Sequence, residues 1–189
     1  MNITPLDFLV IAVTGLTATV SMLAFRRPDA SDRLALHVDA ILRGRQYDRL
    51  LGSMFVHANW PHLIANCVCF VLVADSVGRE AGPEGLLVLY VGAGICGGLL
   101  ERLIHRNHGD YSAVGASGGV VGVLFAAIVF DPDMHLGGLF IPPVVPGWLF
   151  AIVYVLASLF GIARAHDSIG HTGHRGAARA GRASASVVR

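Results

Sequence analysis

The sequence lacks lysine and has few charged residues of any kind. Charged side chains make up 14% of the 189 residues, all 14 basic residues are arginine, and the formal net charge is +1. Nucleic-acid binders usually carry a strongly basic surface, so this balance argues against a nucleic-acid partner. The hydrophobic share of 54% and the mean hydropathy of +0.62 are too high for a soluble domain of this size. They predict a polytopic membrane protein.

The sequence also has little cysteine. Cys67, Cys69 and Cys96 all fall inside apolar runs, where cysteine usually acts as a small apolar side chain. We therefore predict neither a disulfide framework nor a metal site, and no cofactor. The first apolar run has no basic flank before it and no small-residue cleavage site after it, which favours a spanning helix over a cleavable signal peptide.

Apolar runs predict the membrane-spanning helices. Arg26-Arg27-Pro28 ends the first run with charge and a helix breaker, and Asp131-Pro132-Asp133 ends the fourth. A last segment carries several arginines and is not apolar enough to cross a bilayer, which takes ~20 mostly apolar residues. We therefore predict an all-α polytopic membrane protein, with residues 1–189 as a single domain. It would have five spans and a sixth candidate: 8–25, 63–78, 86–100, 113–130, 148–163 and 169–183.

Four polar side chains stand out in separate segments of the chain. Ser117 carries the one hydroxyl of run 113–130, His62 and Asn66 share a helical face, and His174 lies in the last segment. A polar group inside the bilayer is costly unless satisfied, so each is a functional candidate. A histidine could take the proton of Ser117, and side-chain donors with the Ser117 N–H could hold an oxyanion. Taken singly, a packing serine, a capping asparagine or a wetted histidine is the commoner explanation.

Three motifs together resemble those of the rhomboid intramembrane serine proteases. His57-Ala-Asn-Trp-Pro-His62-Leu-Ile-Ala-Asn66 is similar to their H-x4-H-x3-N signature, and Gly115-Ala-Ser117-Gly118-x3-Gly122 is similar to their G-x-S-G-x3-G helix. Gly170-His171-Thr-Gly-His174 resembles their final-helix histidine motif. The resemblance extends over about residues 44–178. It implies a rhomboid-like bundle of six helices around a water-filled cavity.

The resemblance also implies a role for each matched polar residue. Ser117 would be the nucleophile of a serine endopeptidase and His174 its general base, a dyad without an aspartate. His62 and Asn66 would stabilise the oxyanion. His57 would be a structural histidine that supports the loop before the second span.

The remaining implications concern the site's surroundings. Gly115 and Gly118 would be structural residues near the site, and no metal would be bound. The partners would be transmembrane protein substrates and the lipid bilayer. The expected location is the inner membrane of a bacterium, in which the protein would be a multi-pass integral membrane protein.

Two alternatives to a protease stay open, and the first rests on departures from the family pattern. Ala177 and three arginines follow the final histidine motif where the family is apolar, and Val121 stands where members commonly carry an aromatic residue. These departures favour a catalytically inactive rhomboid-like adaptor that binds transmembrane segments without cleaving them. A weaker alternative is a metal transporter that uses the histidines His57, His62, His171 and His174.

The arginine distribution conflicts with the orientation usual in the family. Residues 26–61 hold six arginines, and the positive-inside rule would place this connection in the cytoplasm. The family usually places it outside. Arginine in an interfacial amphipathic segment can extend to the headgroups without setting topology, so we follow the motifs and expect the connection outside. A solvated surface loop is the alternative for this segment.

Overall fold

A computed structural model of the protein describes residues 2–136 and 144–158. The chain forms two compact units, Met1–Pro132 and Asp133–Arg189. The sixth candidate span, 169–183, lies outside the described residues, as do His171 and His174.

The first unit is built from helices joined by short connections. One two-stranded antiparallel pair links β1 (Leu36–His37) to β2 (Ser112–Ala113), with Leu36 opposite Ala113. A short 3-10 turn covers Ser53–Phe55. The helices are α1 (Pro5–Arg26), α2 (Pro28–Leu34), α3 (Val38–Leu42), α4 (Asp48–Gly52), α5 (Trp60–Ile104) and α6 (Ser117–Phe130).

The described part of the second unit contains a hairpin and one helix. Strand β3 (His135–Leu136) pairs antiparallel with β4 (Val145–Pro146), and the apolar helix α7 follows over Gly147–Ser158.

Two of the described helices, α1 and α5, are long and apolar enough to cross a bilayer. The predicted span 8–25 falls within α1. Thr4 caps this helix: its side chain accepts a hydrogen bond from the Asp7 N–H, and the Asp7 carboxylate accepts one from the Thr4 N–H. Helices α6 and α7 are apolar but shorter. The count of six spans therefore stays a prediction.

The predicted spans 63–78 and 86–100 both fall within α5, which is interrupted between them. Gly82 has φ +73° and Pro83 follows it. Glycine adopts positive φ without steric cost, and proline cannot donate the helical hydrogen bond, so the chain changes direction here. The rings of Phe70 and Tyr90 lie 4.9 Å apart, which shows that the two arms of α5 pack side by side.

The connection between α1 and α5 is a folded element. Its buried apolar side chains form a cluster of Leu36, Val38, Ile41 and Leu50, against which Tyr111 and Ala113 pack.

Arg49, in the same connection, is only 8% exposed. Its Nη1 donates to the carbonyls of Asp32 (2.6 Å) and Ala35 (2.8 Å), and its Nε donates to Gln46 Oε1 (2.6 Å). The sequence indicated a solvated or interfacial segment, whereas this arginine is buried and holds three pieces of the connection together.

Helix α6 begins at Ser117, four residues later than the sequence predicted. Ala113 is held in the strand pair with Leu36, and Gly115 has φ +127°, which is incompatible with a helix. Ser117 is therefore the first helical residue instead of lying inside the apolar helix.

Candidate active site

Ser117 lies at the point where the chain turns from strand β2 into helix α6. Its side chain is exposed. The first N–H groups of a helix have no intrahelical partner and carry a partial positive charge. The Ser117 N–H is one of these, and none of the residues 2–136 and 144–158 accepts a hydrogen bond from it. Ser117 therefore combines a hydroxyl with an N–H donor that has no acceptor in the described part of the chain.

His62 packs directly against the turn before Ser117. A Cβ atom on Gly115 would lie 2.6 Å from His62 Cε1 and 2.9 Å from His62 Nε2. Only glycine leaves room for the ring, and only glycine adopts the φ of this turn without strain. Asn59 holds the backbone of His62, since its side-chain oxygen accepts the His62 N–H at 2.9 Å and caps α5. The half-buried imidazole is thus fixed beside the turn that precedes Ser117.

Asn66 lies one helical turn after His62 and is 7% exposed. Its side-chain nitrogen donates to the His62 carbonyl at 2.9 Å. An amide nitrogen has two hydrogens, so one remains for another acceptor. Asn66 and Ala116 both line a small cavity with room for a single water molecule. The two motif residues of α5 therefore stand on the same side of the turn that leads to Ser117.

His57 is 2% exposed and contacts the same turn from another direction. Its Nε2 accepts the Ala116 N–H at 3.3 Å, and its Nδ1 lies 2.9 Å from Ser21 Oγ on α1. The ring also meets His62 edge-on, with 4.9 Å between ring centroids. Burial, and to a lesser degree the neighbouring His62, lowers the pKa of His57 to about 4. His57 is therefore neutral near pH 7, and both of its nitrogens have partners.

Glycines on α6 let this helix approach the second arm of α5 closely. A Cβ on Gly119 would lie 2.6 Å from the Tyr90 carbonyl oxygen, and a Cβ on Gly122 would meet the Ala93 side chain. At Gly118, named by the sequence motif, a Cβ would keep an ordinary contact of 3.5 Å with the Ala93 oxygen. The close approaches on α6 are thus at Gly119, to a backbone oxygen, and at Gly122, to a side chain.

The structure brings together Ser117, His62, Asn66, His57 and Gly115. The proposed base, His174, lies outside the described residues. In the part of the chain that the structure describes, no three His, Cys, Asp or Glu side chains are grouped so as to hold a metal ion. His57 in particular has no nitrogen free for a metal, which weakens the transporter alternative.

Comparisons with known proteins find relatives that are named as rhomboid proteins. RHOMBOID-like protein 12, mitochondrial, of Arabidopsis thaliana is 27% identical over 186 residues, which is 90% of this chain and 54% of that protein. A Bacillus subtilis (strain 168) protein, YdcA, provisionally named a rhomboid protease, is 34% identical over 82 residues, 43% of this chain and 40% of that protein. Inactive RHOMBOID-like protein 8 of Arabidopsis thaliana is 26% identical over 96 residues, 51% of this chain and 27% of that protein.

The chain thus spans about half the length, or less, of these relatives. No solved structure gives a significant match. The model of one protein family, described as the Rhomboid domain, matches residues 44–189, a range that contains every motif discussed above. The family resemblance is therefore confirmed: this chain belongs to the rhomboid family, whose domain is a helical membrane fold.

Proposed function

We propose that this protein is an intramembrane serine endopeptidase that cleaves transmembrane protein substrates. The observation that carries the proposal is the arrangement at the start of α6. The exposed Ser117 hydroxyl, and the Ser117 N–H that has no acceptor among the described residues, directly follow the turn at Gly115 against which the His62 ring is packed. A nucleophile next to donors that can hold a developing negative charge is the arrangement that acyl transfer requires.

In the proposed reaction, Ser117 Oγ attacks the carbonyl carbon of the scissile peptide while His174 takes the hydroxyl proton. The carbonyl oxygen becomes an oxyanion, which accepts hydrogen bonds from the Ser117 N–H, His62 and the second hydrogen of the Asn66 amide. The intermediate collapses, the C–N bond breaks, and His174 returns the proton to the leaving amine. Water then hydrolyses the Ser117 ester by the same two steps.

The substrate must be a transmembrane segment that can present an extended peptide. A peptide bond inside an intact helix is shielded by its own hydrogen bonds and side chains. We therefore expect cleavage near the membrane surface, at small or helix-weakening residues. The location in a bacterial inner membrane stays a prediction, since the relatives come from a plant and from a bacterium.

The proposal is tested by reconstituting the full chain in detergent with a labelled transmembrane substrate. Wild type should cleave it, and Ser117→Ala should reduce the rate to background. Ser112→Ala is the matched control, because Ser112 is an exposed serine five residues earlier, in strand β2, and should cleave as wild type. Cleavage that survives Ser117→Ala would remove the assigned mechanism.

A second candidate function is that of an inactive rhomboid adaptor. Two observations favour it: the similarity to Inactive RHOMBOID-like protein 8, and Val121 in place of the family's aromatic residue. Such a protein would bind the same labelled substrate in detergent and release no product. Retained binding without cleavage in wild type would select this function over the enzyme.

A further inference from the structure

Ser21 is a fully buried hydroxyl in the C-terminal half of an apolar helix, α1. It lies outside residues 44–189, which the family model matches, so the family assignment gives it no role. Its oxygen is nevertheless within hydrogen-bond distance of two groups in the connection between α1 and α5. These are the Phe55 carbonyl and His57 Nδ1, both at 2.9 Å.

The direction of each hydrogen bond follows from counting hydrogens. A serine hydroxyl has one hydrogen, and Ser21 donates it to the Phe55 carbonyl, which can only accept. Toward His57, Ser21 Oγ must therefore accept, so Nδ1 of His57 carries the ring hydrogen. A neutral imidazole has one N–H and one lone pair. The lone pair is then on Nε2, where it accepts the Ala116 N–H at 3.3 Å.

The other neutral tautomer would break both ends of this chain of hydrogen bonds. With the hydrogen on Nε2, the ring N–H would face the Ala116 N–H, donor against donor, and Nδ1 would face a Ser21 oxygen whose hydrogen is already used. The doubly protonated ring would meet the same conflict at Ala116. Ser21 therefore selects the one form of His57 that can hold Ala116.

Holding Ala116 fixes the orientation of the next peptide group. The Gly115 N–H donates to the Ser53 carbonyl at 2.9 Å, and the Ala116 N–H donates to His57. Two successive N–H groups are thus tied to the connection before α5. The next N–H in the chain is that of Ser117, and it is left without a partner among the described residues.

We propose that Ser21 is a positioning residue, which orients the Ser117 N–H toward the oxyanion by holding His57 in its Nδ1-protonated form against Ala116. The catalytic consequence rests on the proposed function. The hydrogen-bond chain from Ser21 through His57 to Ala116 does not, and it can be measured on a protein with no activity.

The direct test is nitrogen NMR of ¹⁵N-histidine-labelled full chain in detergent micelles. Wild type should show His57 as a single neutral tautomer with the hydrogen on Nδ1. A wild-type His57 with the hydrogen on Nε2, or with the two tautomers in fast exchange, overturns the proposal. This measurement needs no variant, so it remains decisive even if a variant fails to fold.

The second test compares Ser21→Ala with Thr19→Val. Thr19 lies on the same helix, and its hydroxyl donates to the Gly15 carbonyl of its own preceding turn. Ser21→Ala should make the tautomers exchange and should speed hydrogen exchange at the Ala116 amide by about tenfold, because one hydrogen bond of the chain is lost. Thr19→Val should match wild type. Equal protection of Ala116 in Ser21→Ala and wild type contradicts the proposal.

A cleavage assay distinguishes the positioning role of Ser21 from the proposed protease function. With the labelled substrate, Ser21→Ala should lower kcat by about tenfold with little change in KM, since the transition state alone needs the oriented N–H. A Ser21→Ala protein that loses Ala116 protection but keeps wild-type kcat overturns the positioning role. If wild type shows the expected tautomer and protection but cleaves nothing, the proposed function fails and the hydrogen-bond chain stands.

Discussion

The His62 ring lies so close to Gly115 that a Cβ atom there would be 2.6 Å from the ring carbon Cε1. These residues are 53 positions apart in the chain, on the first turn of α5 and in the turn before α6. Their contact brings the H-x4-H-x3-N and G-x-S-G motifs to one place. The proposed chemistry depends on it.

Gly115→Ala should therefore damage the site more than other glycine substitutions. The new side chain would clash with His62, and the φ of +127° is strained for any residue with a Cβ. We expect a loss of about 2 kcal/mol or more in the free energy of unfolding and loss of cleavage, measured by thermal unfolding in detergent and substrate cleavage. Gly92→Ala is the control, since nothing lies within 4 Å of its Cβ position. Equal behaviour of the two variants would contradict the contact.

Gly119→Ala and Gly118→Ala should differ although the two glycines are adjacent. A Cβ at Gly119 would lie 2.6 Å from the Tyr90 carbonyl oxygen, a backbone atom that moves only with its helix, whereas one at Gly118 would make an ordinary contact. We expect Gly119→Ala to destabilise the protein by about 1–3 kcal/mol. Gly118→Ala should stay within about 0.5 kcal/mol of wild type. Thermal midpoints in detergent measure both, and a reversed order would refute this account of α5–α6 packing.

Arg49→Lys should destabilise the connection between α1 and α5. The guanidinium of Arg49 joins the carbonyls of Asp32 and Ala35 to the Gln46 side chain, and a single ammonium nitrogen does not reproduce this fork. We expect a loss of about 1–3 kcal/mol, measured by chemical unfolding.

The control for Arg49→Lys is Arg33→Lys. Arg33 pairs with Asp48 at 2.9 Å, and both side chains are more than half exposed, so this change should cost less than about 0.5 kcal/mol. A larger effect at Arg33 than at Arg49 would show that Arg49 does not hold the connection together.

The stability of the folded protein should fall as the pH drops, because His57 titrates at a lower pH in the folded than in the unfolded chain. The folded protein holds His57 neutral with a pKa of about 4, while the unfolded chain protonates near the ordinary value of ~6.5. Between these values the unfolded state binds more protons, so the free energy of unfolding decreases as the pH falls from about 6.5 to about 4. His57→Gln has no ring to titrate and should show a flatter pH dependence in the same window. Identical pH profiles of detergent-solubilised wild type and variant would remove His57 as the cause.

The sequence could predict that His62 and Asn66 lie together because their spacing is local. His62 and Asn66 share a helix face whatever the tertiary arrangement of the helices is. The charged pair Arg79-Glu80 marks the end of the predicted span 63–78, just before the break at Gly82. The start of α6 could not be predicted in this way. Nothing in the apolar run indicates that Ala113 pairs with Leu36, a contact between residues 77 positions apart.

Sequence reasoning also missed the roles of two buried polar residues. Arg49 belongs to a charged segment whose composition is typical of a surface, and only the fold brings three oxygen acceptors around it. A serine such as Ser21 in an apolar helix usually bonds to its own backbone. Its actual partner, His57, is 36 residues away, and no local pattern indicates that contact.

The central claim is that Ser117 is a nucleophile activated by His174, and fluorophosphonate labelling tests it most directly. The full chain in detergent is treated with the probe, and the modified peptide is located by mass spectrometry in wild type, His174→Ala and Ser112→Ala. The account predicts a single adduct on Ser117 in wild type and in Ser112→Ala, and none in His174→Ala. Absence of an adduct on Ser117 in wild type, or an undiminished adduct in His174→Ala, would contradict it.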